Sequence, residues 1–252
     1  MNVIDCFMVC DDTENIIFST AANFISYSNY PVFLTGKAGT GKTTFLKHIQ
    51  QHSKKNSVIV APTGVAAINA GGTTIHSFFQ LPFAPFIPIS KGWGQGGALD
   101  KHGLLSKLRL SSERKELMQQ LELLIIDEIS MVRCDVLDAI DTVMRHVRNC
   151  PGKPFGGVQV LYIGDLYQLP PVVKETEWRF LQQCYENPYF FCSRAITENP
   201  PVYIELKKVY RQADEHFIRL LNNVRNNNMT RADLDLLHSR YFPGFSTPKE
   251  DN

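Results

Sequence analysis

The chain carries no surplus of charge: 26 lysines and arginines face 25 aspartates and glutamates, a formal net charge of +1 over 252 residues. That balance excludes a broadly basic, histone-like binder. It leaves room for a protein that holds a nucleic-acid backbone in one local groove. Long apolar runs are missing too, since none approaches the roughly 18 residues that a membrane-spanning helix needs, and no membrane partner is expected. The N-terminus is poor in basic residues and carries Asp5, Asp11, Asp12 and Glu14, which is not the pattern of a secretory signal. The six cysteines (Cys6, Cys10, Cys134, Cys150, Cys184 and Cys192) form no CxxC pair. Scattered in this way they read as free thiols of a reducing compartment, with the cytoplasm as the default location. His48 and His52 stand four apart, but the glutamate of an HExxH zinc site is missing and no third ligand is evident. The pair reads as a solvated helix face. No internal repeat or low-complexity tract is present.

What remains is an ordinary globular composition, 44% hydrophobic and 20% charged, with length for one sizeable core and part of a second. Short apolar strand candidates recur at Val32–Leu34, Val58–Ala61, Leu123–Ile126, Val158–Ile163 and Val202–Leu206. Nearly continuous apolar runs of this kind imply strands buried on both faces, and their alternation with helical stretches implies βαβ units and a mostly parallel sheet. Thr43–Lys55 predicts a first helix. Arg133–Arg148 predicts another, with Val136, Leu137, Ile140, Val143, Met144 and Val147 at helical spacing as its core face. From about 81 to 112 the alternation breaks. Pro82, Pro85, Pro88 and the glycines from Gly92 to Gly97 exclude a long regular element, so an inserted loop or small subdomain is expected there. Its aromatics Phe83, Phe86 and Trp93 and its basic residues Lys91, Lys101, Lys107 and Arg109 suit either contact with a nucleic acid or packing of the loop on itself.

The chemistry starts at Gly36-Lys37-Ala38-Gly39-Thr40-Gly41-Lys42-Thr43, which fits G-x-x-x-x-G-K-[ST] and follows a strand. Glycines here let successive backbone N–H groups turn inward around an anion. Lys42 reaches the β- and γ-phosphates of ATP or GTP, and the Thr43 hydroxyl holds Mg²⁺ at the start of the next helix, where Thr44 completes the cradle. The strand Leu123–Ile126 then delivers Asp127 and Glu128. The first suits the Mg²⁺ hydration shell, and the second suits orienting and deprotonating an attacking water. A third strand runs into Gly164-Asp165-Leu166-Tyr167-Gln168, where the Gln168 amide is placed to sense a γ-phosphate.

The order of these blocks resembles the Pif-type helicases of superfamily one. The resemblance rests on the phosphate loop and on Ala61-Pro62-Thr63-Gly64-Val65-Ala66-Ala67. It continues through Gly71-Gly72-Thr73-Thr74-Ile75-His76-Ser77-Phe78-Phe79 and Asp127-Glu128-Ile129-Ser130-Met131. Pro154-Phe155-Gly156-Gly157-Val158-Gln159, the stretch Gly164–Pro171 and Tyr210-Arg211-Gln212-Ala213-Asp214 close it, and in all it covers about residues 18 to 242. It implies an α/β, RecA-like P-loop NTPase over 1–186 and the start of a second RecA-like domain over 187–252. It further implies a 5′-to-3′ DNA translocase using ATP and Mg²⁺. Catalytic residues would be Lys42, Glu128, Gln168 and Arg211, the last an arginine finger from the second domain. Pro62, Thr63, Gly64, Thr74, His76 and Ser77 would line a single-stranded DNA path, with forked or structured duplexes as further partners and a nucleoid-associated location. Ile17-Phe18-Ser19-Thr20 contains no glutamine where relatives carry the one that reads adenine. Nothing after Tyr241-Phe242 resembles the late motifs, so the remainder of the second motor domain is expected outside these 252 residues. Two other classes fit parts of the pattern: a nucleotide-switched binding module without turnover, against which Glu128 argues, and a P-loop NTPase that remodels a non-nucleic-acid partner.

Overall fold

The structure, a computed structural model, describes residues 16–88, 97–208 and 215–244. Its centre is a six-stranded sheet: β1 (Val32–Gly36), β2 (Ser57–Ala61), β3 (Thr73–Thr74), β4 (Leu123–Ile126), β5 (Gln159–Ile163) and β6 (Val202–Leu206), in the order β3-β2-β4-β5-β1-β6. Each pairing is parallel, with Leu34 opposite Ile163, Ile126 opposite Tyr162 and Val60 opposite Ile126. All strands therefore release their C-terminal loops at one edge, where open parallel sheets bind ligands.

Side chains alternate across each strand, and here both sets are apolar. Leu124 and Ile126 of β4, Val160 and Tyr162 of β5 and Phe33 of β1 face one layer. Its centre is the long helix Cys134–Val147, which contributes Leu137, Ile140, Val143 and Met144. Leu123, Ile125, Leu161, Ile163, Val32 and Leu34 face the other layer, formed by α1 (Ile16–Tyr27) and α2 (Lys42–His52) through Ile25, Phe45, Leu46 and Ile49. The second helix starts at Lys42 and stops at His52, short of Lys55. The Lys55 ammonium turns back to the carbonyls of Ile25 and Ser28 and to Gln159 Oε1, at 2.8, 2.6 and 2.7 Å. His48, partly buried with its ring edge-on to Phe18 at 5.3 Å, stacks on the exposed His52 with ring centroids 4.3 Å apart.

Three short helices follow: α3 (Gly64–Ala70), α4 (Ile75–Phe79) and α5 (Lys101–Lys107); then come α6 (Ser112–Gln120) and the long helix, α7 (Cys134–Val147). The 81–112 region is pinned at its base. Ile87 N–H donates to Leu99 O and Leu99 N–H to Pro85 O, both at 2.8 Å, while Phe86, Leu99 and Leu104 are buried. Among the described residues, Phe86, Leu99 and Leu104 thus pack on the body of the protein, whereas Phe83 is 91% exposed. Trp93 and Lys91 lie outside the described residues.

After β5 come α8 (Glu175–Leu181) and α9 (Arg194–Glu198). The first compact unit runs to Tyr210, beyond the expected boundary at 186. The reason is β6, which pairs with β1 over five consecutive positions, Val32↔Val202 to Gly36↔Leu206, and so completes the first sheet. β6 also departs from the doubly buried pattern. As an edge strand it leaves Val202 and Tyr203 exposed. The second unit, Arg211–Asn252, contributes α10 (Glu215–Arg225) and α11 (Arg231–His238). A capping box starts α11: Thr230 Oγ1 accepts from Asp233 N–H at 3.3 Å, and Asp233 Oδ2 accepts from Thr230 N–H at 2.8 Å. Among the described residues no helix is long and apolar enough to cross a membrane.

Candidate nucleotide and nucleic-acid site

The loop from Gly36 to Gly41 owes its shape to glycine at three positions. Gly39 and Gly41 take φ of 80° and 91°, a region that side chains disfavour. A Cβ on Gly36 would stand 2.4 Å from Thr40 Oγ1 and 2.7 Å from Leu206 O. Thr40 is buried and its hydroxyl donates to Lys37 O at 2.9 Å, closing the loop on itself. The Lys42 ammonium lies back across this loop, donating to Gly36 O at 2.6 Å and Lys37 O at 3.2 Å. Gly41 is the N-cap of α2 and gives no side-chain cap. The first-turn N–H groups around Lys42, Thr43 and Thr44 therefore have no side-chain acceptor at their own N-cap, the arrangement that suits a phosphate.

β5 lies between β1 and β4, so its C-terminal loop emerges between the phosphate loop and Asp127-Glu128. Asp127 donates its N–H to Val60 O at 2.9 Å. Its carboxyl is pushed up to about 6, first by burial and then by the charge of Glu128, against the opposing pull of a hydrogen bond from the Glu128 backbone and the charge of Lys42. Lys42 and Asp127 are thus close enough to feel each other. Glu128 has φ 51° and ψ 45°, left-handed backbone that a non-glycine residue adopts at a cost of about 1–3 kcal/mol. The kink persists because Ile129 and Ser130 behind it are buried and Gly164 makes room for them. A Cβ on Gly164 would meet Ile129 Cγ2 at 2.9 Å.

The third loop has a residue that sequence reasoning did not assign. Asp165, 1% exposed, accepts Tyr167 N–H on Oδ1 at 3.1 Å and Gln168 Nε2–H on Oδ2 at 3.5 Å, while Gln168 N–H donates to Asp165 O at 2.9 Å. Asp165 thus holds the turn that carries Gln168 and lies within reach of its amide. The signal was present as an acid at the end of an apolar strand, as with Asp127, but here it stands alone and behind Gly164.

The Thr43 hydroxyl and the Asp127 carboxylate fit a magnesium ion. Both are hard oxygen donors, and Mg²⁺ characteristically takes one or two protein ligands and completes its shell with phosphate and water. Asp127, placed where burial disfavours its charge, gains most from a neighbouring cation. Among the described residues no cluster of three or more His, Cys, Asp or Glu side chains is arranged to hold a metal ion.

Pro62, Thr63 and Gly64 follow β2 at the same edge. Thr63 is the N-cap of α3 and Thr74 that of α4; their hydroxyl oxygens accept from Ala66 N–H at 3.2 Å and Ser77 N–H at 3.3 Å. Both hydroxyl groups are oriented by this and keep a proton to donate. A Cβ on Gly64 would meet nothing within 4 Å, which leaves room for close approach of another backbone. His76 stacks on Phe83 at 4.8 Å and 10°, and burial, followed by the charge of Arg133, holds its imidazole below the usual histidine range. Pro62, Thr63 and His76 share the wall of a cavity of about 350 Å³ with Arg133, Asp135 and Glu177. Thr74, Ser77 and Gly64 lie outside that wall, and Ser77 O accepts from Arg114. Arg211 lies outside the described residues.

A family model described as PIF1-like helicase matches residues 8–234. The ATP-dependent DNA helicase PIF1 of Saccharomyces cerevisiae is 34% identical over 234 residues, and that of Homo sapiens 39% over 202; the matches cover 90% and 77% of this chain. The chain spans about a quarter of these relatives, 24% and 27% of their lengths. Among solved structures, Bacteroides Pif1 bound to single-stranded DNA matches with a TM-score of 0.79 at 43% identity, over 92% of this chain and 50% of that one. The same helicase in complex with ADP-AlF3 and single-stranded DNA matches with a TM-score of 0.82 at 43% identity, over 92% and 51%. The sheet and its phosphate loop are those of a RecA-like ATPase domain, and the chain belongs to the PIF1-like helicase family.

Proposed function

We propose that this chain carries the ATP-hydrolysing part of a DNA helicase, a motor that couples ATP turnover to 5′-to-3′ movement along single-stranded DNA and acts on forked or structured duplexes. One observation carries the reading: the loop 36–44, the Asp127-Glu128 pair and the Gln168 loop leave adjacent parallel strands at one edge, with Lys42 within electrostatic reach of Asp127. Lys42 and the N–H groups of Gly39–Thr44 bind the phosphate tail. Glu128, turned out of the strand by its left-handed backbone, accepts the proton of the attacking water. Gln168, on the turn held by Asp165, contacts the γ-phosphate and reports its loss. Magnesium held by Thr43 and Asp127 would neutralise phosphate charge. Arg211, the first residue of the second unit, supplies a cation to the γ-phosphoryl group, and that unit begins a second RecA-like domain. Pro62, Thr63, Gly64, Thr74, His76 and Ser77 position a DNA strand through its phosphates and through stacking, without reading sequence. The relatives named above, ATP-dependent DNA helicases and a Pif1 bound to ADP-AlF3 and single-stranded DNA, support this reading.

The test is Glu128→Gln in the full-length protein. The amide keeps shape and hydrogen bonding but accepts no proton, so nucleotide affinity holds while turnover falls by about 10²–10⁴. Wild-type turnover by this variant would place the base elsewhere.

A further inference from the structure

Arg133 immediately precedes α7, and its side chain is 16% exposed. Its Nε and Nη2 donate to the two oxygens of Asp135 at 2.8 and 2.7 Å, and its Nη1 donates to Glu177 Oε2 at 2.5 Å. Asp135, 1% exposed at its side chain, also accepts the backbone N–H of Phe86 at 3.0 Å. One guanidinium thus joins three segments far apart in sequence. Glu177 belongs to α8, which follows the loop 164–171. Asp135 opens α7, which follows Asp127 and Glu128. Phe86 is one leg of the insertion that follows His76 and carries Phe83.

The link is not needed to attach α8. Leu181 and Tyr185 already pack with Cys134 in an apolar cluster that Trp178 and Val173 flank. Nor does a largely buried ion pair add much net stability, because desolvation offsets most of the Coulombic gain. What a planar guanidinium adds is orientation: its fork holds two carboxylates in fixed directions, which a lysine cannot do. Its surroundings show what is oriented. Arg133, Asp135 and Glu177 form one cavity wall with Pro62, Thr63 and His76.

We propose that Arg133, held between Asp135 and Glu177, is the positioning residue that couples the loop around Asp165 and Gln168 to the strand-holding surface around His76 and Phe86. This rests on the proposed assignment of both surfaces. A displacement of the 164–171 loop on loss of the γ-phosphate moves α8. Glu177 then draws on Arg133, and Asp135 passes the shift to the Phe86 N–H. Such coupling is reciprocal, so a DNA strand alters nucleotide affinity by the same factor by which nucleotide alters DNA affinity.

The test uses the full-length protein with Glu177→Gln, which removes the charge and keeps the shape, and Arg133→Lys, which keeps the charge and removes the fork. Neither residue belongs to the phosphate loop, the Asp127-Glu128 pair or the Gln168 loop, so basal ATP turnover and Mg-nucleotide affinity stay at wild-type values. Stimulation of turnover by an oligothymidylate falls by about 5- to 20-fold, and the ratio of its affinities with and without a non-hydrolysable ATP analogue moves toward one. The double variant adds little to either single one, because both break the same link. Undiminished stimulation with an unchanged affinity ratio in both variants overturns the proposal. So does a parallel fall in basal and stimulated turnover, the mark of a purely structural contact. Lack of stimulation in the wild-type protein overturns the nucleic-acid reading itself, and the coupling falls with it.

Discussion

Lys42 holds the one ammonium bonded to the carbonyls of the phosphate loop among the described residues, at Gly36 and Lys37. Lys42→Ala removes charge-assisted bonds to the phosphate tail and lowers Mg-nucleotide affinity by at least on the order of 100-fold, with a much smaller loss of stability. Unchanged affinity of the folded variant in a calorimetric titration would rule out this loop as the phosphate site. Gly36→Ala behaves in the opposite way. Its Cβ would collide with Leu206 O and Thr40 Oγ1, so β6 must shift from β1, at a cost of about 2–3 kcal/mol seen in urea unfolding. A cost below about 0.5 kcal/mol would mean the loop is looser than it looks. His48 and His76 both titrate below the usual histidine range in the folded chain, mainly through burial, with His52 and Arg133 respectively adding repulsion. The unfolded chain therefore binds protons on these groups first. The stability they contribute is present above about pH 6.5 and is lost as pH falls through that value into the folded range. A His48→Gln, His76→Gln variant should lose less stability than the wild type between pH 7.5 and 5.5; equal losses would show that neither ring carries the linkage.

α7 shows how one element ties the rest together. Beside its apolar stripe it buries Asp135, Asp138 and Asp141, three residues apart on one side, and each holds a different loop. Asp138 accepts from Arg194 N–H at 3.1 Å, Ala195 N–H at 3.0 Å and the Tyr185 hydroxyl at 2.7 Å, so it caps α9. Asp141 accepts from Phe155 N–H at 2.6 Å and pairs with Arg145 at 2.7 Å. Burial pushes both carboxyls up and these bonds pull them back. Asp138→Ala strands two buried donors, the Ala195 N–H and the Tyr185 hydroxyl, beside the half-buried Arg194 N–H, and should cost about 3 kcal/mol or more in chemical unfolding, against less than about 1 kcal/mol if water replaces the carboxylate. The sequence shows the stripe of α7, because apolar residues at helical spacing have one physical meaning. It hides the three aspartates, since acids three apart on a helix look like a solvated face. β3 is hidden for a related reason: Thr73 and Thr74 carry no hydrophobic pattern and gain strand geometry from pairing with Val60 and Ala61. The phosphate loop and Asp127-Glu128 are legible because backbone and side-chain chemistry fall within a few consecutive residues. The Arg133–Asp135–Glu177 cluster is not, as it exists only once α8 and the insertion have folded against α7.

At the scale of the whole molecule, the proposed machinery divides between two units. The first, through Tyr210, contains the phosphate loop, Glu128 and Gln168, and its sheet is complete once β6 has paired with β1. On the assignment proposed above, nucleotide binding is a property of that unit. Turnover is not, because the cation assigned to the γ-phosphoryl group belongs to Arg211, where the second unit begins. A cation so placed contributes about 10³–10⁵ in rate for arginine fingers generally. Arg211→Ala in the full-length protein should lower turnover on that order and leave nucleotide affinity unchanged. The chain spans about half of the solved helicases it resembles. The 252 residues expressed alone should accordingly bind Mg-nucleotide, hydrolyse it far more slowly than the full-length protein, and respond little to single strands. Steady-state turnover with and without an oligonucleotide decides the matter, with Lys42→Ala as the background control. Robust strand-stimulated hydrolysis by the 252 residues, unaffected by Arg211→Ala, would show that Arg211 is not the catalytic cation and would overturn its assignment.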